Sequence, residues 1–298
     1  MAERARSVAE NAAGAFFVDS TCIDCDTCRQ LAPVTFADAG EHSYVRIQPR
    51  DEDETRAALR ALVACPTASI GASDKRGAAL AVDDFPLELD RGVYYCGFNS
   101  HKSFGGNSYF VEDAAGNWLI DSPRYVERLA SRFEERGGIR YIFLTHRDDV
   151  ADAEKWAARF GATRIIHRLE LKAQPGAERV IDGYGPVELA PGFLAIPTPG
   201  HTRGHTALLC RDRFLFTGDH LSWSRTERRL SASRDYCWYS WGQQVESLAK
   251  LQSYSFEWVL PGHGQRVQLG HEAMRREVAR LASSHLSAAS SWAERSIE

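Results

Sequence analysis

FLTHRDDVA, residues 143–151, closes the apolar run YIFLTH with one histidine and two acids. A short apolar run of this kind reads as a buried strand. Past its end come His146, Asp148 and Asp149. The arrangement recurs downstream: IPTPGH ends in His201, FTGD in Asp219 and VLPGH in His263. Each group follows a strand and sits beside glycine or proline. Strand ends gather at one edge of a sheet, so these side chains can converge there. Neutral imidazoles with carboxylates form a borderline-hard set, suited to zinc, iron or manganese. A single such histidine would be read as structural, but three with Asp219 in this context point to a metal site.

From residue 92 onward, strand-length runs such as VYYCGF, NWLIDS, TRIIHR, TALLCRD and RFLFTGD are interspersed with helical stretches. These are YVERLASRFEERG, ADAEKWAARFG and QVESLAKLQSY. Strands mixed with helices imply a layered architecture. The motifs GGNSYFVEDAAGNWLIDSP, FLTHRDD, TPGHTRGHTALL, FTGDHL and LPGHG, in that order over about residues 92–267, resemble those of the metallo-β-lactamase fold superfamily. The resemblance implies an αββα sandwich with metals at one edge. It also implies that His201, Asp219 and His263 are ligands, that Asp219 bridges two metals, and that Asp121 orders the metal loop.

The chain departs from the superfamily's leading motif, T-H-x-H-x-D-H. His146 matches, but Asp148 stands at the second histidine, and Val150 and Ala151 stand where the second metal's ligands belong. The first site is then assembled from His146, Asp148, His201 and Asp219. The second keeps only Asp219 and His263 unless a loop shift brings in Asp149 or Asp152. One ion is expected, two with such a shift, and none if the site is degenerate. Asp149 is the candidate catalytic carboxylate. His205 is expected to orient a ligand, while His220 has no assigned role. The aromatic stretch around Trp238 and Trp241 either borders a pocket for a small, partly apolar substrate or fills the core.

CIDCDTC, residues 22–28, places three cysteines at every third position, and Cys65-Pro66 follows at a distance. A loop with that spacing can present three thiolates to a cubane, with Cys65 as the remote fourth ligand. Ala32-Pro33 stands where a second cluster's ligand would be, so one cluster is expected. Zinc is the alternative, although it favours two separated pairs. Over about residues 14–72 the stretch resembles the single-cluster bacterial ferredoxins. That resemblance implies one [4Fe–4S] centre on Cys22, Cys25, Cys28 and Cys65. The fold class expected is therefore α+β: a small ferredoxin-like domain, 1–80, then an αββα metallo-β-lactamase sandwich, 81–298. GASDKRGA, residues 71–78, reads as a turn near the boundary.

The net charge of −4 lacks the basic footprint of a nucleic-acid binder. No run of 18 apolar residues suggests a membrane span, and the start of the chain has no apolar signal region. Seven cysteines without a signal fit a reduced, cytoplasmic setting. Cys96 and Cys210 read as small buried apolar groups. The leading functional expectation is a metal-dependent hydrolase of a small ester, thioester, amide or lactone. In a second reading the cluster, served by a redox partner protein, passes electrons to a metal in the lactamase-like site. In a third the protein is a non-catalytic electron carrier or scaffold.

Overall fold

The structure is a computed structural model and describes residues 2–73 and 76–295. The chain divides into two compact units. One runs to Phe143 and takes in Asp148–Arg164; the other comprises Leu144–Arg147 and the chain from Ile165 onward.

The first unit begins with the cysteine-bearing segment. Strand β1 (Phe16–Val18) leads into the cysteine loop and helix α1 (Thr27–Leu31), which stops before Pro33. A hairpin, β2 (Phe36–Asp38) and β3 (Ser43–Val45), precedes helix α2 (Glu52–Ala64) and strand β4 (Ile70–Ala72), which pairs antiparallel with β1. Asp51 caps α2 by accepting from the Glu54 N–H at 2.8 Å, and three acids in the first turn suit the helix dipole. The buried face of α2 is Ala58, Leu59, Ala61 and Val63. The stretch read as a turn at 71–78 differs. Residues 74 and 75 lie outside the described residues, and Arg76–Val82 forms helix α3. Gly77 lets α3 approach α2, because a Cβ there would stand 2.6 Å from Leu59 Cδ1.

The same unit continues with β5 (Leu87–Asp90), β6 (Val93–Tyr95), β7 (Tyr109–Val111), β8 (Trp118–Ile120), α4 (Glu127–Glu135), β9 (Tyr141–Phe143) and α5 (Ala153–Phe160). Strands β5 to β8 form an antiparallel meander, and β9 pairs parallel to β8 after the α4 crossover. Aromatic packing fixes the helices to the sheet. Phe110 stacks on Phe133 at 4.6 Å, and Phe133 meets Trp156 edge-on at 5.4 Å.

In the second unit β10 (Thr163–His167) pairs parallel with β11 (Arg179–Ile181) from Ile165 onward. A sheet follows from β12 (Val187–Ala190), β13 (Phe193–Pro197), β14 (Thr206–Cys210) and β15 (Phe214–Gly218). After the hairpin β16 (Ser222–Ser224) and β17 (Arg229–Ser231) and helix α6 (Trp241–Leu251), the strands β18 (Trp258–Pro261) and β19 (Val267–Gln268) complete it. Helix α7 (His271–Arg295) ends the described chain. Ile196, Leu209, Leu215 and Val259 from the sheet pack with Leu248 and Leu251 of α6 and Met274, Val278 and Leu281 of α7. Each such buried side chain contributes about 1.5–3 kcal/mol. Among the described residues no helix is long and apolar enough to cross a membrane.

Register places the functional edge of this sheet. β15 and β18 run parallel with Gly218 opposite Pro261, so Asp219 and His263 leave from the same end. β14 runs antiparallel to β15 with Leu208 opposite Phe216, which brings the His201 turn before Thr206 to that end too. Thr206 N–H donates to the Thr145 carbonyl at 2.9 Å and anchors His146 beside it.

Candidate metal centres

In the first unit Cys22, Cys25, Cys28 and Cys65 line one small cavity, walled by Val18, Ile23 and Ile70. Arg29 braces the loop through Asp26 at 2.6 Å and Asp24 at 2.7 Å. Both acids have a left-handed backbone, which curls the chain around the pocket. Backbone N–H groups point at sulfur: Ser43 donates to Cys22 Sγ at 3.4 Å, and Ser69 to Cys65 Sγ at 3.3 Å. Burial pushes the Cys25 thiol up to about 11 and raises Cys22 and Cys28 as well. With burial acting this way on Cys22, Cys25 and Cys28, their thiolates need a cation to compensate them. Four convergent sulfurs with amide donors aimed at them fit an iron–sulfur cluster.

In the second unit the histidines gather at the sheet edge. The rings of His146 and His201 are 4.8 Å apart and perpendicular, and His205 lies 5.2 Å from His146. His201 Nδ1 donates to the Tyr236 carbonyl at 2.6 Å. A carbonyl only accepts, so the proton is on Nδ1 and the Nε2 lone pair faces the site. His201 Nε2 and His146 Nε2 both stand 3.7 Å from Asp219 Oδ2. Ligand atoms of a tetrahedral ion, bonded at about 2.0–2.2 Å, lie about 3.3–3.6 Å apart. The three groups therefore fit one divalent ion with little adjustment.

His263 stands differently. Its Nδ1 lies 2.8 Å from Asp219 Oδ1, a charge-assisted hydrogen bond and too short for two ligands of one ion. In this geometry His263 holds Asp219 in place. Burial alone would raise the Asp219 carboxyl, but the charge and hydrogen bond of His263, with the pull of His146 and His201, hold it well below the usual range. Behind this layer lie two histidines. Burial first, then the crowding of the neighbouring imidazoles of His146, His220 and His201, pushes His205 well down. Burial and His201 lower His220 to about 3. Both rings are neutral, and among the described residues neither nitrogen of His220 finds a hydrogen-bond partner. His205 Nδ1 is 2.9 Å from Thr198 Oγ1, and its ring stacks on His220 at 5.5 Å. His205 thus packs against the His146 ring, and His220 is the member that had no role from the sequence. Its place directly after Asp219 was the available signal. Gly218 is required where it is: φ is +46°, and a Cβ would stand 2.6 Å from both His205 Nε2 and Thr145 Oγ1.

Asp148 and Asp149 follow His146 in the chain and belong to the other unit. Asp148 is exposed and Asp149 is buried. Within that unit a Cβ on Gly106 would stand 2.8 Å from Asp149 Oδ1. Asp152 is engaged elsewhere, with Lys102 Nζ at 2.8 Å and the Tyr125 N–H at 3.0 Å. Asp121 is buried with φ +54°, and its N–H bonds the Phe143 carbonyl at 2.8 Å. Cys96 and Cys210 are fully buried, as read from the sequence. Trp238 is 59% exposed and does not fill the core. Its ring lies 6.1 Å from that of His201, with Tyr236 and Tyr239 exposed beside it.

Residues 18–72 match the family model described as "4Fe-4S single cluster domain of Ferredoxin I", and 102–263 match "Metallo-beta-lactamase superfamily". A hydroxyacylglutathione hydrolase of Buchnera aphidicola subsp. Baizongia pistaciae is 36% identical over 85 residues, 28% of this chain and 33% of that protein. The match thus spans about a third of the length of that curated relative. The crystal structure of VMB-1 superposes with a TM-score of 0.50 at 19% identity, covering 68% of this chain and 96% of that one. A metallo-β-lactamase from Hirschia baltica gives 0.49 at 18%, with 66% and 96% covered. The likeness to VMB-1 bears out the fold class expected from the sequence, and the two domains imply an iron–sulfur cluster and a divalent metal. The second family match covers more than half of the chain, which therefore belongs to the metallo-β-lactamase superfamily and carries a 4Fe-4S single cluster domain ahead of it.

Proposed function

We propose that the chain is a metal-dependent hydrolase of a small ester, thioester, amide or lactone. The observation that carries this is the pair of imidazole Nε2 atoms, each 3.7 Å from the same oxygen of Asp219. His146, His201 and Asp219 hold the ion, and Asp148 completes the set by its place in the motif. His263 orients Asp219 and is the ligand left for a second ion. A divalent ion in such a site supplies Lewis acidity and a nucleophile from water at neutral pH. The neutral, buried His205 and His220 keep further positive charge away from the cation. Asp149 is the proposed proton acceptor. The exposed aromatics Tyr236 and Trp238 give a partly apolar substrate a surface beside His201. An Asp in place of a histidine favours a harder ion, Fe(II) or Mn(II), over zinc. The partial match to a hydroxyacylglutathione hydrolase favours hydrolysis. We keep two domains, 1–80 and 81–298, and a cytoplasmic setting, in which thiolate ligands persist.

The test is hydrolysis of a panel of thioesters, esters, amides and lactones by anaerobically purified protein, with metal analysis. Asp219→Ala should lose the divalent ion and the activity while iron and sulfide in the cluster stay constant. Equal hydrolysis by Asp219→Ala, or none by metal-loaded wild type, sinks the reading. The redox alternative is favoured by one observation, the approach of the cysteine pocket to the loop that touches Asp149.

A further inference from the structure

The cysteine pocket has a wall that its sequence motif does not include. Residues 99–107 lie between β6 and β7, more than 30 positions after Cys65. Asn99 is fully buried and ties together both arms of the cradle. Its backbone N–H donates to the carbonyl of Ala64, the residue before Cys65, at 3.2 Å. Its side-chain amide donates to the Gly105 carbonyl at 2.7 Å and to Thr27 Oγ1 at 3.0 Å. A carbonyl only accepts, so the amide nitrogen is the end that faces Gly105 and Thr27. Tyr95 fixes the other end by donating to Oδ1 at 2.7 Å. Gly105 then closes on the cysteines. A Cβ there would stand 2.6 Å from Cys25 Cβ, 3.0 Å from Cys25 Sγ and 3.1 Å from Pro66 Cγ, and φ is +86°.

Thr27 is the link to sulfur. Its Oγ1 lies 3.4 Å from Cys25 Sγ. A hydroxyl has one proton and two lone pairs. Asn99 donates to that oxygen, which leaves the hydroxyl's own proton for sulfur. A thiolate only accepts, so a cluster-bound Cys25 takes that proton as a hydrogen bond. Hydrogen bonds to cluster sulfurs stabilise the more negative, reduced state and raise its potential.

We propose that Asn99 is a positioning residue for the cluster, acting on Cys25 through Thr27 and on the Cys65 arm through Ala64, with the loop 99–106 as the wall that closes the site. This rests on the reading that Cys22, Cys25, Cys28 and Cys65 hold a [4Fe–4S] cluster. The proposal makes the lactamase-like half part of the cluster's environment, so the cluster cannot keep the same properties in isolation.

The experiment is a double-mutant cycle on the full chain, reconstituted anaerobically. Iron and sulfide content and the EPR-monitored midpoint potential are read for wild type, Asn99→Ala, Thr27→Val and the double variant. Thr27→Val and Asn99→Ala should each lower the potential at full cluster content. The double variant should fall short of the sum of the two single shifts, because part of the Asn99 effect runs through that hydroxyl. Thr27→Ser, which keeps the hydroxyl, should restore the wild-type potential. If Asn99→Ala does not fold, Asn99→Asp takes its place, since its added charge is common to both backgrounds and cancels in the cycle. Unchanged potentials, or shifts that simply add, overturn the proposal. A wild-type chain that takes up no iron and sulfide overturns the cluster reading, and the proposal with it.

Discussion

Cys25 and Asp149 are linked through two consecutive glycines: a Cβ on Gly105 would stand 3.0 Å from Cys25 Sγ, and one on Gly106 2.8 Å from Asp149 Oδ1. With a 3.80 Å step between the two Cα atoms, sulfur and carboxylate are within about 13 Å of each other. The carboxylate proposed for catalysis and a proposed cluster ligand thus share one short, buried piece of backbone. The two glycines should give different phenotypes.

Gly106→Ala pushes on the Asp149 carboxylate without demanding an unusual φ. Hydrolysis should fall by about 10- to 100-fold, the scale of a displacement of about 1 Å at a reacting group, with cluster content unchanged. Gly105→Ala should instead speed cluster loss in air. Steady-state kinetics and the decay of the cluster's visible absorbance separate the two. Identical effects of both variants would mean that the loop moves as one body and that Asp149 has no separate role.

Cys65→Ser should lose the cluster or leave a three-iron form if Cys65 is, as proposed, the remote fourth ligand. Cys210→Ser should retain it, since Cys210 is fully buried in β14 of the other unit. Iron and sulfide analysis with EPR reads both, and zinc in place of iron and sulfide would exclude the cluster.

The strand ends were legible because each carries its own punctuation. Gly218, Pro261 and the Pro-Gly turn before His201 stop β15, β18 and β13 where the candidate ligands begin. The cysteine spacing was legible for the same reason, as it is local. Long-range pairing was not. Nothing near Asn99 in the sequence announces that its amide reaches Thr27, 72 positions away. Helix α3 was hidden by Gly77, which disfavours a helix locally yet permits close packing on Leu59. For Trp238 the sequence left a pocket border and core filling both open; a backbone bond from its N–H to the His201 carbonyl at 3.0 Å goes with its exposed position.

His263→Ala should weaken the divalent ion rather than abolish its binding. His146, His201 and Asp219 remain, but Asp219 loses the donor 2.8 Å from its Oδ1. Loss of such an orienting partner costs about 10- to 100-fold in metal affinity. Competition with a chelator measures it. Complete loss of the ion would make His263 a direct ligand.

Acid should loosen the α2–α3 region through Asp84. Hydrogen bonds from Arg56, outweighing burial, and from Arg60 hold its carboxyl below the usual carboxylate range. A depressed folded value gives stability that is fully present above the unfolded value, about 3.9, and lost as pH falls through the folded one. Asp84→Asn should therefore cost up to about 1 kcal/mol at pH 7 and flatten the decline of stability below about pH 4. Urea titrations at pH 3 to 7 on both proteins show whether the two curves converge at low pH.

Separating the halves tests how independent the proposed domains are. A chain of residues 81–298 keeps Phe85, which packs edge-on against Tyr95 at 6.2 Å and Phe98 at 5.5 Å. It also keeps every strand from β5 onward, so it should fold. It loses two partners of Asn99, Thr27 and Ala64, and the Cys25 neighbour of Gly105. Two hydrogen bonds at about 1 kcal/mol each, plus the uncovered Gly105 turn, should lower Tm by several degrees, at about 2–4 °C per kcal/mol for a chain of this size. Asn99→Ala should cost this shortened chain less than it costs the full chain by about the one Thr27 bond already absent, since Tyr95 and Gly105 remain. A shortened chain that melts without cooperativity would show that the two halves share one core and that the boundary at 80 is misplaced.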